Sequence, residues 1–399
     1  MRILADENIP FAREAFGALA PDAVVTTASG RAIGPADLPG VDCLMVRSVT
    51  QVNAALLARA DRLKFVGTCT IGTDHVDQNE LRRRNIPFAS APGSNADSVW
   101  EWFASTVLTL AERGGFDLAG KTLGVVGCGN VGERIARRAE AIFGLRVLRN
   151  DPPLAEQQRP GAPAYCSLDQ LCAEADIITC HTPLERGGPH PTFHLFDGTR
   201  LARLRPGTLL INAGRGEVLH AAGLLDAIRG GRIGPVALDV WDREPAIDRD
   251  LLAAVAIGTP HIAGYSFNGK VNATEMIYGA ACEALQRPAV WSAESLLTPP
   301  PDADILVAVA ASSPAGALLA ALRQVYDVRA DDADLRGALG VAPAETGPYF
   351  DRLRKNYRRR RECRDFRLTF PPGWSPVAAW LDPLRRMGFQ LPAASLPRP

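Results

Sequence analysis

Three polar residues close apolar runs in the middle of the chain. Arg215 stands between two glycines in "INAGRGEVLH", Glu244 precedes the final proline of "LDVWDREP", and His261 sits in "TPHIAGYS" between Pro260 and Gly264–Tyr265. A guanidinium can clamp a carboxylate with two parallel hydrogen bonds and polarise the carbonyl next to it. An imidazole can take or give a proton near neutral pH, and a glutamate beside it fixes its orientation and stabilises its charged form. Taken singly, each has a plainer reading: a turn arginine, a loop acid, a histidine bonded to a carbonyl. With only six histidines in 399 residues, the placement of His261 calls for a reason.

The reason lies upstream. "VVGCGNVG" carries GxGxxG at Gly127, Gly129 and Gly132, with Asn130 and Val131 in the last gap. It follows an apolar strand and opens the helix "ERIARRAEAIF". Glycines there allow a tight turn and let backbone N–H groups approach a pyrophosphate at a helix N-terminus. Nineteen residues past Gly132 the next strand ends at Asp151, where a carboxylate would accept from ribose hydroxyls and repel a 2′-phosphate. NAD is therefore expected over NADP, although Arg149 nearby could serve a 2′-phosphate. With a nicotinamide cofactor in place, the three polar residues fit hydride transfer between a 2-hydroxy acid and a 2-keto acid. A cation holds the carboxylate, an imidazole carries the hydroxyl proton, and a carboxylate positions the imidazole.

The elements that must position these groups alternate. "MRILAD", "VDCLMVRS", "LKFVGTCT" and "IPFAS" read as strands, with helices over 10–19, over "NAALLARA" and ending at "LRRRN". After the long helical stretch "GSNADSVWEWFASTVLTLAER", a second block runs through "KTLGVVGCGNVG", "LRVLRNDPP", "ADIITCHTP", "GTLLINAGRG", "GPVALDVWDREP" and "VAIGTPHIAG". Strands alternating with helices give parallel sheets, whose C-terminal strand ends line the ligand crevice. A helix over 268–285 is placed to return to the first block. "LQRPAV" and "LLTPPPDAD" mark a boundary, beyond which come a strand "ILVAVA", a helix near 318–325 and the basic run "DRLRKNYRRRRECRDF".

Forty-four Lys plus Arg balance forty-four Asp plus Glu, so no global field draws nucleic acid or an anionic membrane. The basic run is interrupted by Glu362 and flanked by Asp351 and Asp365, which favours a solvated or inter-subunit helix face over a nucleic-acid site. The eight cysteines form no CxxC pair and no metal-ligand spacing, as expected for a reducing compartment with no metal site. Charged residues in "MRILADENIP" speak against a secretion signal, and no run of about 20 apolar residues offers a membrane span. A cytoplasmic protein is expected.

In combination, the glycine loop, Asp151, "HTPL", "NAGRG", "LDVWDREP" and "HIAGYS" resemble the D-isomer-specific 2-hydroxyacid dehydrogenases. Within that family, "ADENIP", "LMVRSVTQVN", "FVGTCTIGTDHVD", "HIAGYSFNGK", "VYDVRADDADLR" and "FDRLRKNYRRRRE" look most like the erythronate-4-phosphate dehydrogenase branch. The resemblance implies an α/β fold of two doubly wound parallel-sheet domains. A Rossmann-type dinucleotide domain (96–265) is inserted in a flavodoxin-like substrate domain (1–95 and 266–290), and a small α+β C-terminal domain (291–399) makes a homodimer. It implies Arg215, Glu244 and His261 as the catalytic set. Cofactor contacts would include Thr182, Asp239 and Gly264, with substrate contacts at Ser48, Thr70 and Tyr265. The implied reaction is NAD-dependent oxidation of 4-phospho-D-erythronate to 2-oxo-3-hydroxy-4-phosphobutanoate in vitamin B6 synthesis. A 3-phosphoglycerate or glycerate dehydrogenase and an NAD-binding corepressor are the rival readings. Whether Arg47 or the basic segment 352–364 meets the substrate phosphate stays open at this stage.

Overall fold

Short β-branched and apolar runs, each ended by a turn signal, become the strands of two parallel sheets. The computed structural model describes residues 1–157, 159–307, 313–371 and 378–392. The chain divides into two compact units, one of 1–95 with 266–299, the other of 96–265 with 300–399.

In the first unit, β1 (Arg2–Asp6), β2 (Val24–Ala28), β3 (Cys43–Val46), β4 (Phe65–Thr68) and β5 (Phe88–Ala89) pair in the order β2-β1-β3-β4-β5, every pair parallel. This is the flavodoxin-like order, with its switch point between β1 and β3. β2, "VVTTA", went unread in the sequence although its β-branched residues favour a strand. The helix expected over "NAALLARA" is a 3-10 turn, Leu56–Arg59. Asn53 caps it at the Leu56 amide, and the Val52–Val76 bridge fixes the chain just before it, leaving too few residues for stable α turns. The Phe267–Ala284 helix returns to this unit, burying Ile277, Tyr278 and Ala281 beside Ile3, Phe16 and Phe65.

In the second unit, β6 (Thr122–Val126), β7 (Arg146–Asn150), β8 (Ile177–Cys180), β9 (Leu209–Asn212), β10 (Val236–Leu238) and β11 (Ile257–Gly258) pair in the order β11-β10-β9-β8-β6-β7. All pairs are again parallel, and the switch point falls between β6 and β8. The Ala96–Gly114 helix is buried nearly all round, polar Ser98, Glu101, Ser105, Thr106 and Thr109 included, because it is covered on several sides. It packs on the Asn130–Phe143 and Pro314–Val325 helices, with Trp100, Trp102 and Phe103 fully buried.

The described residues of 300–392 pack within this second unit. β12 (Asp304–Leu306) pairs with β13 (Arg367–Thr369) in a small parallel sheet. The strand read as "ILVAVA" is described for 305–307, while 308–310 lie outside the described residues. Asp332, on the Val328–Arg336 helix, accepts the Gly258 amide (2.7 Å) and so satisfies an edge donor of β11. Arg249 donates to the Leu339 and Val341 carbonyls, tying the same segment down a second time. No described helix is long and apolar enough to cross a membrane.

Candidate active site

The glycine loop lies just past β6, at the switch point, where an open parallel sheet offers its ligand crevice. Gly127 takes a left-handed backbone (φ 84°), and a Cβ there would meet the Thr182 amide at 2.8 Å. A Cβ on Gly132 would sit 1.9 Å from the Gly127 carbonyl oxygen, so the loop closes only on glycine. Nothing lies within 4 Å of the corresponding position at Gly129, the N-cap of the helix that Asn130 and Val131 begin. That helix end has no side-chain cap, so its first N–H groups face an open cradle suited to a pyrophosphate.

Asp151 closes the loop from β7. One carboxylate oxygen accepts the Cys128 amide (2.8 Å) and the other the Leu154 amide (3.1 Å). Arg149, the arginine that could have served a 2′-phosphate, is paired with Glu133 at 3.0 Å. On the β8 side, Thr182 Oγ1 is buried without a hydrogen-bond partner among the described residues. An orphaned hydroxyl beside an uncapped helix end and a glycine cradle fits a bound dinucleotide. We expect Gly132→Ala to weaken NADH binding at least tenfold, because the loop must open to admit the methyl group. A fluorescence titration checks this, and unchanged affinity in a folded variant would remove the loop from cofactor binding.

The second cluster is built around His261. Its Nδ1 lies 2.7 Å from Glu244 Oε2, and the other Glu244 oxygen accepts the Trp241 amide at 2.9 Å. In the neutral imidazole, a carboxylate at Nδ1 favours the tautomer that carries its proton there and leaves Nε2 a lone pair. The His261 side chain is 34% exposed and that of Glu244 19%, so the pair is shielded but reachable. Burial would raise the Glu244 carboxyl. The charge and hydrogen bond of His261, the Trp241 amide and the Arg354 charge outweigh burial and hold it below the usual carboxylate range.

Asp239 holds the His261 loop. Its carboxylate accepts from the Thr259 hydroxyl (2.6 Å) and from the Ile262 and Ala263 amides (2.8 and 3.0 Å). Its carbonyl accepts the His261 amide (2.7 Å). Trp241 and Trp102 donate their indole N–H groups to the Thr259 carbonyl and hydroxyl. These bonds sustain a left-handed backbone at His261 (φ 56°), which costs a non-glycine residue about 1–2 kcal/mol. Gly264 lies in the turn closed by the Tyr265 amide on the Ile262 carbonyl.

Arg215 follows β9 on the turn before Gly216–Val218. Asn212 braces the turn from both sides, donating to the Arg215 carbonyl and accepting the Gly214 amide. A Cβ on Gly216 would meet the Trp241 carbonyl at 2.0 Å. The Arg215 turn therefore packs directly on the backbone that leads to Glu244. His181, at the end of β8, was not singled out in the sequence. Burial pushes its pKa down to about 3, so it is a neutral internal group bonded to Thr179.

Ser48 and Thr70 belong to the first unit, two residues past the ends of the neighbouring strands β3 and β4. Ser48 is exposed in the turn 47–50, whereas the Thr70 hydroxyl shares a hydrogen bond with Thr68 (2.7 Å). Lys270, in the first turn of the Phe267–Ala284 helix, was missed in the sequence. Burial and then the nearby Arg47 charge lower its pKa to about 8. Tyr265, in the second unit, receives a hydrogen bond from Arg354 (2.9 Å).

Residues 97–263 match the family model described as "D-isomer specific 2-hydroxyacid dehydrogenase, NAD binding domain", and residues 297–379 match one described as a domain of unknown function. The chain is 48% identical over 362 residues to the erythronate-4-phosphate dehydrogenase of Cronobacter sakazakii, covering 91% of this chain and 92% of that one. It is 46% identical to the enzyme of that name from Sodalis glossinidius, with 98% of each chain covered. Among solved structures, the TT0316 protein of Thermus thermophilus superposes with TM-score 0.60 at 28% identity, over 72% of this chain and 98% of that one. A D-lactate dehydrogenase from Aquifex aeolicus, complexed with NAD and lactic acid, shares the fold (TM-score 0.57, 24% identity, 72% and 96% covered). The chain is an NAD-dependent oxidoreductase that belongs to the erythronate-4-phosphate dehydrogenase family, a branch of the D-isomer-specific 2-hydroxyacid dehydrogenases.

Proposed function

We propose that the protein oxidises C2 of 4-phospho-D-erythronate to give (R)-3-hydroxy-2-oxo-4-phosphobutanoate, a step of pyridoxal 5′-phosphate biosynthesis. The observation that carries the chemistry is the 2.7 Å pair of His261 Nδ1 with Glu244, which leaves Nε2 for the reacting hydroxyl. Support for the substrate comes from the name shared by relatives 45–48% identical over nine-tenths or more of both chains.

Arg215 clamps the C1 carboxylate and fixes C2 beside the imidazole. His261 Nε2 removes the C2 hydroxyl proton, and Glu244 stabilises the imidazolium that results. NAD, when held by the glycine loop and Asp151, would supply the acceptor for the hydride and both electrons released from C2. Gly127, Gly129, Asn130, Val131 and Gly132 would seat the pyrophosphate, Asp151 the adenosine ribose, and Thr182 the nicotinamide side. Asp239 and Gly264 keep the His261 loop against it. Ser48, Thr70 and Tyr265 hold substrate oxygens. NADH formation with 4-phosphoerythronate, 3-phosphoglycerate and glycerate tests the reading. Activity confined to the last two, or none despite NAD binding, would overturn it.

Lys270 adds a cation to the substrate side of the first unit. A lysine with a pKa of about 8 is charged below that pH and neutral above it. The kcat/KM for the anionic substrate is expected to fall as pH rises through about 8. In Lys270→Arg, which keeps its charge, that alkaline limb should vanish. The same limb in both proteins would assign it to another group.

The reading extends to a cytoplasmic homodimer joined through 291–399. All eight cysteines are free thiols, as a reducing compartment would keep them, and Leu306 on β12 is 54% exposed. Sedimentation of the full chain at micromolar concentration tests the dimer, and a monomer would refute it.

A further inference from the structure

We propose that Arg354 is a substrate-positioning residue, the cation through which the C-terminal segment grips the phosphate end of the substrate. The inference rests on the functional reading above. Arg354 lies on the Thr346–Lys355 helix, inside the 297–379 module and outside the matched NAD-binding domain. The D-lactate dehydrogenase noted above fits 96% of its own length onto 72% of this chain, so this protein carries an addition to the shared fold.

The rest of the basic run is largely committed elsewhere. Arg358 pairs with Asp331, Arg360 with Glu101, Arg361 with Asp365 and Arg364 with Glu362. Arg352 and Lys355 are exposed. Arg354 instead turns inward. Its Nη2 donates to Tyr265 Oη at 2.9 Å, and its guanidinium carbon lies 5.6 Å from the Tyr265 ring centre and 5.9 Å from that of Phe350. Its Nε is buried with no hydrogen-bond partner among the described residues, and no described carboxylate forms a salt bridge with it.

A buried N–H without an acceptor is costly. Glu244, the acid whose carboxyl feels the Arg354 charge, is already bonded to His261 and the Trp241 amide. What remains is a rigid donor fork, held by two aromatic rings, with spare donors for an oxyanion. A phosphate suits that fork. The substrate needs such a second cation: one anion, the C1 carboxylate, is assigned to Arg215, and the C4 phosphate is the anion that lactate lacks. The extra cation and the extra anion would thus arrive together.

Steady-state kinetics of the full-length wild type, Arg354→Gln and Arg354→Lys on 4-phospho-D-erythronate and on unphosphorylated D-erythronate test this. In Arg354→Gln the KM for the phosphorylated substrate should rise roughly 30-fold or more, the usual consequence of leaving one buried charge without its partner. The kcat/KM for erythronate should fall at least about tenfold less than that for the phosphorylated acid, the remaining loss reflecting the bond to Tyr265 and the charge felt by Glu244. Arg354→Lys keeps the charge without the fork and should fall between. Inorganic phosphate should inhibit the wild type competitively and Arg354→Gln far more weakly. An equal loss on both substrates would place Arg354 at the carboxylate or in support of Glu244, and unchanged kinetics would give it no part; either overturns the proposal. Should Arg354→Gln fail to fold, Arg354→Lys carries the same comparison. If the wild type does not turn over the phosphorylated acid, the functional reading itself fails. Calorimetric titration of the NAD-loaded proteins with inorganic phosphate then decides the Arg354 site, binding lost in Arg354→Gln supporting it and equal binding refuting it.

Discussion

Replacing His261 by alanine is expected to lower kcat by about 10²–10⁴, the usual share of a positioned acid–base group. NADH affinity should stay within about twofold, because the cofactor cradle is built from Gly127, Gly129 and Gly132 on a different loop. The loss should appear in kcat more than in KM, since the proton transfer develops in the transition state. Glu244→Gln should do less damage. An amide can still accept the Nδ1 proton but no longer stabilises an imidazolium, so part of the effect remains. Stopped-flow measurement of the first turnover separates this step from product release. A His261→Ala enzyme with near-normal single-turnover rate would show that the proton leaves by another route. Alanine, like histidine, is strained at φ 56°, so the substitution leaves the backbone cost in place. Asp239 bonds the backbone of residues 261–263 and not the imidazole, so the loop should hold.

Much of this was legible in the order of residues, for a physical reason. Parallel strands end on one edge of a sheet, so polar groups that close successive apolar runs must gather there. That logic brings the glycine loop, Asp151, Thr182, Arg215 and Asp239 to the ends of β6, β7, β8, β9 and β10. What the order could not display is how these groups are aimed. Asp239 reads as one more polar strand end, yet its carboxylate is bound into the His261 loop. Arg354 reads as one of many basic residues. Its inward turn depends on Tyr265, 89 positions away, and no periodicity encodes a partner at that separation. Lys270 was hidden likewise, because its burial beside Arg47 comes from the return of the Phe267–Ala284 helix to the first unit. β2 is a different case: "VVTTA" carries strand chemistry in its β-branched residues, but five positions are too few to establish a period.

The largest expected effect on stability also involves residues far apart in sequence. Arg360 and Glu101, 259 positions apart, form an ion pair at 3.1 Å with side chains 0% and 3% exposed. The Cys363 amide gives Glu101 a further bond at 2.6 Å, and Arg360 donates to the Ser98 carbonyl at 2.8 Å and the Ala263 carbonyl at 3.4 Å. Tyr326 stacks on the guanidinium, 3.7 Å from its carbon. This cluster joins the basic run to the Ala96–Gly114 helix and to the loop that bears His261. Removing one partner of a buried pair costs about 3–5 kcal/mol, because the other charge stays behind. The two removals differ. In Glu101→Gln the stranded group is an arginine, which cannot shed its proton, so the full cost persists at every working pH. In Arg360→Met the stranded group is a carboxyl that burial already pushes upward and that loses its main compensating charge. It can protonate. A carboxyl whose folded pKa exceeds its unfolded one binds more protons in the native state, so stability rises as pH falls from neutrality toward the unfolded value. Thermal melts of the full chain should therefore show Glu101→Gln depressed by roughly 6–20 °C at both pH 7 and pH 5. Arg360→Met should recover part of its deficit at pH 5. A deficit in Arg360→Met that is flat between those two conditions would mean that Glu101 reaches water once its partner is gone, and that the cluster is held by packing instead of charge.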